Sequence, residues 1–393
     1  MNRQCLSLCR DKRAAYYEFG KQYFGPFLLS FTKWLNKQMM MQQIDKLFFF
    51  ARDGYMMEKA FRVMSDNSVD EKYAYFSRKS IRQALLHKCK NYAESLEYIS
   101  AEKSISFGAL LEYYGFNEDE RIMYSKRYSL DLKTDFDTVG LKTNRKLESI
   151  FRDLRSEIYN RSSEQDALLS KYLKQINIVG KVGIVDIGWK GSMQYYLETY
   201  LKSHDMDVCL VGFYVGILPK QKLSGNTFGF LYDEKNPKMR KKVLCFAGGL
   251  ERLFQSLEGS TYGYKEIRGD VCPVLNTYEF SDDPEVKMYI TELQKGAMDY
   301  VKANKYTEES DEALTKKILR LGIHPTLKEV ALFLPFYNTD GAKEYYISQK
   351  PIYKYSFNEF RHALSNSAWK TGFLKSVFKI PFPYFWIYNV LKK

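Results

Sequence analysis

Cysteine, histidine and proline are scarce in this chain of 393 residues, which contains 6 Cys, 4 His and 10 Pro. The cysteines are scattered along the sequence, and only Cys5 and Cys9 lie close together. No His–Cys group stands near them to complete a zinc site. We therefore expect reduced thiols, as in cytoplasmic proteins, and neither a disulfide framework nor a zinc domain.

Long apolar runs are also missing. No stretch of about 18 uncharged apolar residues occurs, so no membrane-spanning helix is expected. Charged side chains at Arg3, Arg10 and 11–13 interrupt the first segment, so no signal peptide is expected. These absences predict a cytoplasmic protein, at most peripheral on the inner face of a membrane.

The charge balance favours anionic partners. The formal net charge is +13, but no Lys/Arg run is long enough to indicate nucleic acid. Phosphosugars, nucleotides and lipid head groups remain as candidate anionic partners. Apolar residues make up 45% of the chain, enough for a sizeable core. The aromatic share of 16% is high, and these rings serve either the core or stacking on ligand rings.

Strand-like and helix-like patterns alternate through the first part of the chain. Buried strands are predicted at about 44–50, 72–77, 182–187, 208–215 and 227–232. Apolar residues at helical spacing predict helices at 12–41, 55–64, 147–176 and 192–202. This alternation predicts an α/β fold with a mostly parallel sheet covered on both faces. Ligands of such sheets bind at the carboxyl ends of the strands.

Three further parts are predicted around this sheet. Residues 1–245 form the α/β core, with a charged, mostly helical insertion at about 80–175 in which 131–140 is a loop. Residues 246–369 form a helical subdomain, and 370–393 a tail. The C-terminal helices are predicted at 246–257, 285–303, 309–321, 326–336 and 356–368.

The segment 182–194 (VGIVDIGWKGSMQ) is the most informative motif. It predicts a buried strand, Asp186 at its carboxyl end, a Gly-x-x-Gly-Ser loop and a helix beginning at Ser192. Glycines permit a tight turn, and the first amides of a helix bind anions. Asp186 would hold a metal ion or sugar hydroxyls. The alternative reading of Ser192 is a simple helix cap.

A second segment has the same form. The strand ending at Phe50 leads into Ala51-Arg52-Asp53-Gly54-Tyr55 and a helix. Asp53 is either an N-cap or a ligand-binding carboxylate. Because both motifs end strands, we expect a phosphorylated substrate to lie between them.

These motifs resemble those of type I phosphoribosyltransferases. There, acids at the end of a strand contact ribose hydroxyls, and the following loop binds the 5-phosphate. The resemblance assigns these roles to Asp186 and to the loop Ile187, Gly188, Trp189, Lys190, Gly191 and Ser192. It also implies that Ala51, Arg52, Gly54 and Tyr55 contact diphosphate, that Asp53 and Asp186 reach Mg²⁺, and that Ser77, Arg78, Lys79 and Arg82 form a mobile basic loop.

A narrower resemblance covers roughly 15–260. It is a resemblance to bacterial polysaccharide-biosynthesis proteins that are often fused to a haloacid-dehalogenase-type phosphatase. The similar motifs are Tyr23–Pro26, Ala51–Tyr55, Phe76–Arg78, Asp186–Ser192 and Glu251–Phe254. That family implies transfer of phosphoribose from phosphoribosyl diphosphate to a glycan acceptor. This chain lacks the phosphatase motif, so a separate phosphatase is implied. Asp186 also follows Asp53 by 133 positions, which is more than usual for that fold and fits a helical cap that would bind the acceptor.

Other polar residues are weaker candidates. Glu251 is predicted to act in catalysis, as a general base on an acceptor hydroxyl, with Glu258 and His87 as further candidates. Asp205-Met206-Asp207 resembles a metal-binding Asp-x-Asp motif but precedes a strand. The histidines at 204, 324 and 362 have no visible partners in the sequence.

Three functions follow from these observations. The first is a Mg²⁺-dependent glycan phosphoribosyltransferase. The second is a haloacid-dehalogenase-like phosphatase, which fits Asp53 but has Tyr55 where the general-acid aspartate should stand. The third is a non-enzymatic glycan-assembly protein on a membrane.

The tail 370–393 has five lysines, no acid and seven aromatic residues. This composition suits an anionic membrane surface. The alternative is a helix packed on the body, since Pro381 and Pro383 interrupt a continuous amphipathic helix.

Overall fold

The structure, a computed structural model, describes residues 3–65, 69–99, 104–338 and 343–391, with side chains from residue 11 to residue 390. The strands in these ranges are β1 (Lys46–Phe50), β2 (Asp70–Ala74), β3 (Ser104–Ser106), β4 (Asp135–Asp137), β5 (Gly180–Trp189), β6 (Val208–Ile217), β7 (Thr227–Tyr232), β8 (Thr261–Ile267), β9 (Asp270–Leu275), β10 (Tyr337–Asn338) and β11 (Glu344–Tyr345).

The α-helices are α1 (Arg3–Phe19), α2 (Gly25–Met41), α3 (Gly54–Met64), α4 (Arg78–Leu85), α5 (Tyr92–Ser95), α6 (Phe107–Tyr113), α7 (Glu118–Arg127), α8 (Arg145–Gln175), α9 (Ser192–Ser203), α10 (Arg240–Leu244), α11 (Ala247–Phe254), α12 (Pro284–Asn304), α13 (Asp311–Ile323), α14 (Leu327–Ala331), α15 (Phe357–Asn366), α16 (Lys370–Phe378) and α17 (Tyr384–Leu391).

The main sheet has five strands in the order β2-β1-β5-β6-β7. All four pairings are parallel, so the predicted α/β fold with a parallel sheet is confirmed. Counted among these five strands alone, the order is 2-1-3-4-5, one of the two common doubly wound orders. Its switch point lies between β1 and β5, where the chain leaves in opposite directions.

Both faces of the sheet are buried. Phe49 and Val185 point into one core with α2, α3 and α12, whereas Phe48 and Ile184 point into a second core with α8 and α9. Central strands covered on both sides read as continuous apolar runs, which is why β1, β5 and β6 could be recognised in the sequence.

The first two helices lie against the C-terminal helices. A π-helical turn at Gly20–Phe24 joins α1 to α2, and Pro26 stands in the first turn of α2. Tyr16 stacks on Tyr289 of α12 with ring centroids 4.3 Å apart. One apolar core thus runs from α1 to Tyr388 of α17, and position 245 falls inside it.

The insertion between β2 and β5 has its own apolar core. Leu86, Phe107, Phe151 and Ile158 are buried there. The predicted loop at 131–140 contains β4, which pairs with β3 in an antiparallel arrangement, so the loop prediction was wrong at those residues. Three-residue strands are too short to produce a recognisable alternation.

The C-terminal part is not purely helical. β8 and β9 form an antiparallel hairpin, contrary to the helical pattern expected from about residue 245. The hairpin packs on α8, and two glutamines of that helix bond to its backbone. Gln165 donates to Tyr264 O at 3.1 Å and accepts from Tyr264 N at 2.8 Å. Gln175 pairs with Val271 in the same way.

The side-chain amides of these glutamines make the backbone hydrogen bonds that a neighbouring strand would otherwise make. We expect Gln165→Ala to lower the free energy of unfolding by about 1–2 kcal/mol, because it leaves the Tyr264 amide and carbonyl without partners. Urea denaturation measures this. The control is Glu164→Ala on the exposed face of α8, expected within about 0.5 kcal/mol of wild type. Equal effects of the two substitutions would contradict this role.

Candidate functional site

A cleft of about 580 Å³ opens at the carboxyl ends of β1 and β5. This is the switch point, where doubly wound folds bind their ligands. Its wall combines four acids with four bases and several neutral polar groups. The lining residues that sequence reasoning had selected are Ala51, Arg52, Asp53, Ser77, Arg78, Asp186, Ile187, Gly188, Trp189, Lys190, Ser192 and Glu251.

The turn after β1 carries Arg52 and Asp53 into the cleft. The Ala51–Arg52 peptide bond is cis, and the Ala51 amide donates to Ala74 O at 2.9 Å. Asp53 is the N-cap residue of α3, yet its side chain makes no capping hydrogen bond. Its Oδ1 is buried and has no hydrogen-bond partner among the described residues. The capping interpretation therefore does not account for Asp53.

The second motif differs from its predicted form. β5 continues to Trp189, so Asp186 lies within the strand, opposite Tyr214 of β6. Only Lys190 and Gly191 separate the strand from α9. Gly188 has φ 100°, and a Cβ there would lie 2.5 Å from Gly216 O. The glycine loop is thus shorter than expected, because close backbone packing extends the strand.

Trp189 fixes the position of Glu251. Its indole Nε1 donates to Glu251 Oε1 at 2.5 Å, and its ring stacks near Tyr232 with centroids 6.3 Å apart. Glu251 lies on α11, 65 positions after Asp186 in the sequence, and lines the same cleft. Glu251, the acid predicted in α11, is therefore linked to the β5 motif by its hydrogen bond with Trp189.

Three carboxyl groups form what we call the carboxyl cluster: Asp53, Asp186 and Glu251. Burial, followed by the charge of Asp53, raises the pKa of Asp186 and of Glu251. Burial also raises the pKa of Asp53, against the opposing effects of Gln255 and of Arg52 and other arginines. The cluster therefore keeps protons at pH values where ordinary carboxyl groups have lost them.

Two arginines share one carboxylate in what we call the arginine bridge. Glu279 Oε2 accepts from Arg52 Nη1 at 2.5 Å, and Glu279 Oε1 accepts from Arg252 Nη1 at 2.7 Å. Burial works against ionisation of Glu279, but the charges of Arg252 and Arg52 hold its pKa below the ordinary value. The bridge keeps Arg52 at the cleft.

Arg78 is an exposed cation of the cleft. It begins α4, after Ser77, whose hydroxyl caps the Ser80 amide at 2.9 Å. Within the described residues, its guanidinium makes neither an ion pair nor a hydrogen bond. The predicted mobile basic loop is instead the first turn of a helix, because the Ser77–Ser80 capping box nucleates α4.

Several predicted donor-binding residues lie elsewhere. Lys79 is paired with Glu112 at 2.9 Å, and Arg82 donates to Tyr98 O at 2.5 Å. Tyr55 contacts Lys59 and Tyr73 on the outer side of α3. Gly54 packs on β1, where a Cβ would lie 2.8 Å from the Phe49 carbonyl carbon. Gly191 precedes α9 as its N-cap, outside the cleft lining.

The other candidates are also outside the cleft. Glu258 accepts from the hydroxyls of Tyr73 and Tyr75. His87 and His204 both contact the Asp166 carboxylate, at 3.3 Å and 2.8 Å. The predicted Asp-x-Asp motif at 205–207 precedes β6, at the opposite edge of the sheet.

Sequence reasoning missed part of the wall. The charged members are Arg252 and Glu279, and Gln255 and Tyr346 lie beside them. Arg252 stands next to Glu251 and could have been selected with it, whereas Glu279 has no local motif. The neutral hydrogen-bonding residues of the same wall are Ser260, Asn276, Thr277 and Asn338.

The donor set is compatible with the predicted Mg²⁺. In the described part of the chain, no group of three or more His, Cys, Asp or Glu side chains is arranged to hold a metal alone. Mg²⁺, however, commonly uses one or two carboxylates and completes its shell with substrate phosphates and water. The unpartnered Oδ1 of Asp53 beside Asp186 fits that pattern.

No family model matches the chain, and no curated protein matches it.

The protonated carboxyl cluster has a consequence for stability. The folded protein holds a proton at Asp186 that the unfolded chain releases above about pH 4. The free energy of unfolding of the wild type therefore falls as pH rises through the interval between the two pKa values. Asparagine does not titrate. We expect Asp186→Asn to be more stable than wild type at about pH 8, by about 1.4 kcal/mol per unit of raised pKa, and this gain to shrink toward about pH 4.

Thermal or urea unfolding across this pH range measures the difference. The control is Asp207→Asn, an exposed aspartate in the loop before β6. This substitution at an exposed site should change the free energy of unfolding by less than about 0.5 kcal/mol. If Asp186→Asn is less stable than wild type at every pH, ionisation of buried Asp186 does not lower the free energy of unfolding as expected.

The arginine bridge should contribute far more to the free energy of unfolding than a surface ion pair does. Glu279→Gln leaves two arginines facing each other without a carboxylate, and we expect a loss of about 3–5 kcal/mol in unfolding free energy. Glu266→Gln breaks the exposed pair with Lys171 and should cost at most about 1 kcal/mol. Urea denaturation compares the two, and similar losses would argue against the bridge.

Proposed function

We propose that this protein is a Mg²⁺-dependent glycan phosphoribosyltransferase with a type I phosphoribosyltransferase-like core. It would move 5-phosphoribosyl from phosphoribosyl diphosphate to a glycan acceptor during polysaccharide biosynthesis. The observation that carries the proposal is the convergence of both sequence motifs on one cleft: Asp53 and Arg52 after β1, and residues 186–190 with Ser192 at β5 and α9. The doubly wound order itself is compatible with many activities.

The cleft has separate groups for the parts of such a donor. Arg52 and Arg78 would neutralise the diphosphate, and the first turn of α9, beginning at Ser192, would bind the 5-phosphate through its amides. Asp186 would accept hydrogen bonds from the ribose hydroxyls. Asp53 and Asp186 would hold Mg²⁺, which stabilises negative charge on the diphosphate when it is bound.

The transfer requires a base and a leaving group. The acceptor hydroxyl oxygen would bond to the anomeric carbon of ribose while the bond from that carbon to diphosphate breaks. The electron pair of the broken bond leaves with diphosphate, and Glu251 would accept the hydroxyl proton. Its raised pKa brings this carboxylate closer to neutral pH, which suits a general base. Trp189 would hold it in place.

The neutral wall supports a sugar acceptor. Ser260, Asn276, Thr277 and Asn338 offer hydroxyl and amide groups without charge, which suits a polyhydroxylated ligand. Asn276 Nδ2 donates to Ser260 Oγ at 3.0 Å, so part of this wall is already ordered. The acceptor side would then be the β8–β9 end of the cleft, whereas the helical insertion was the sequence-based expectation.

The two alternatives receive less support. A haloacid-dehalogenase-like phosphatase needs a second acid two residues after Asp53, but Tyr55 stands there and points toward Lys59. A separate phosphatase would remove the 5-phosphate if the family resemblance holds. A non-enzymatic assembly protein would not require a buried carboxyl cluster beside exposed Arg78.

Titration calorimetry with phosphoribosyl diphosphate tests the donor. We expect micromolar binding that requires Mg²⁺ and is abolished by Asp186→Ala. Arg78→Gln should weaken binding about tenfold to a hundredfold, because one charge-assisted hydrogen bond contributes about 1.5–3 kcal/mol. Lys181→Gln, at the opposite end of β5, is the matched control and should bind as wild type does.

Three results would overturn the assignment. If wild-type protein gives no heat with millimolar donor and Mg²⁺, the donor is wrong, and a nucleotide sugar is the next ligand to titrate. Full binding by Asp186→Ala would place the donor outside this cleft. Hydrolysis of a simple phosphate ester, lost in Asp53→Asn, would favour the phosphatase.

A further inference from the structure

The tail exposes a row of large apolar side chains. Phe378, Ile380, Phe382, Trp386 and Val390 are between 40% and 62% exposed, and we call them the tail surface. They lie within 13 consecutive positions near the end of the described chain. Exposed apolar groups scattered singly are ordinary, but a contiguous group marks an interaction site.

The tail is held on the body by its other face. Tyr384 and Tyr388, one helical turn apart in α17, are only 3% and 7% exposed, and Tyr388 belongs to the main core. Trp386 and Val390 have the same spacing and point outward. The tail is thus packed on the body, as one sequence interpretation expected, and still presents a second apolar face.

Positive charge accompanies this face. Lys379 is exposed between Phe378 and Ile380, and Lys375 donates to Ile380 O at 3.0 Å. No acidic residue occurs in 370–393; Lys392 and Lys393 lie outside the described residues. No helix in the described ranges is long and apolar enough to cross a bilayer. Apolar side chains with lysines and no acids are the pattern of interfacial binding.

We propose that the tail surface binds an anionic lipid membrane, with α17 lying in the plane of the interface. Trp386 and Phe382 would enter the boundary between head groups and acyl chains, where aromatic rings are favoured. Lys379 would contact the lipid phosphates. Charge decides between occupants: a second copy of this lysine-bearing face would repel its partner, whereas an anionic surface attracts it.

Vesicle sedimentation and tryptophan fluorescence test the proposal on the full chain. We expect binding to vesicles of phosphatidylcholine and phosphatidylglycerol in equal amounts, at least tenfold weaker binding to phosphatidylcholine alone, and weaker binding at high salt. The emission of Trp386 should shift to the blue, because the other tryptophans, at 34, 189 and 369, are partly or fully buried already. Trp386→Phe should keep sedimenting while losing that shift.

Substitutions separate the two contributions. Ile380→Ser with Trp386→Ser should reduce binding at least tenfold, and Lys379→Gln about fivefold, since each basic residue contributes about 1 kcal/mol at an anionic surface. The matched control is Met123→Ser with Lys126→Gln on the exposed face of α7, which should change nothing. All five positions are exposed, so the fold should persist.

Each contrary result overturns the proposal. These are failure of the wild type to sediment with anionic vesicles, equal binding to neutral vesicles, equal losses in the α7 control, and a concentration-dependent dimer that buries Trp386 without lipid.

Discussion

Withdrawing carboxyl groups from water is unfavourable, and the arrangement around the cleft follows from bringing three of them together there, Asp186 buried and Asp53 and Glu251 half-buried. Asp186 is only 8% exposed, and its pKa is raised by burial and by Asp53. Such a cluster persists only where neighbouring groups compensate. Arg52, Arg252 and Trp189 supply this compensation, and Glu279 in turn prevents the two arginines from repelling each other.

The sheet topology brings the carboxyl groups together. β1 and β5 are neighbours although α3, β2 and the whole insertion lie between them in sequence. α3 packs on one face and α9 on the other, so the two connections diverge and leave a crevice between the strand ends. Because both faces of the sheet are covered by helices, its strands are apolar. Polar side chains therefore lie at the strand ends, where they contact water and ligand.

The features of the fold and of the cleft that depend on local residue patterns could be predicted from the sequence. Buried strands are continuous apolar runs, and acids that follow them are visible, so β1, β5 and the positions of Asp53 and Asp186 could be found. The hairpin β8–β9 was missed because helical spacing on both sides of it dominated the pattern. In the structure, Arg268 and Gly269 form its two-residue turn, and both have the positive φ that such a turn requires. β5 proved longer than predicted because Gly188 lets its backbone lie close to Gly216.

Glu279 could not have been found in this way, and it shows why the site is a property of the whole chain. It is 227 positions from Arg52, in a segment without strand or helix, and no spacing rule links the two. The first motif, Ala51 to Tyr55, would have the same residues without Glu279, but Arg52 would lose the carboxylate that holds it at the cleft. The C-terminal part therefore does more than cover the sheet: it orients a cation of the N-terminal motif and neutralises Arg252 beside the carboxyl cluster. A chain ending after β7 would still contain both motifs, yet it would lack Glu251, Arg252 and Glu279 together. Asp53 and Asp186 would then have less positive charge around them, and the sheet would lose the C-terminal helices that complete the core on one of its faces.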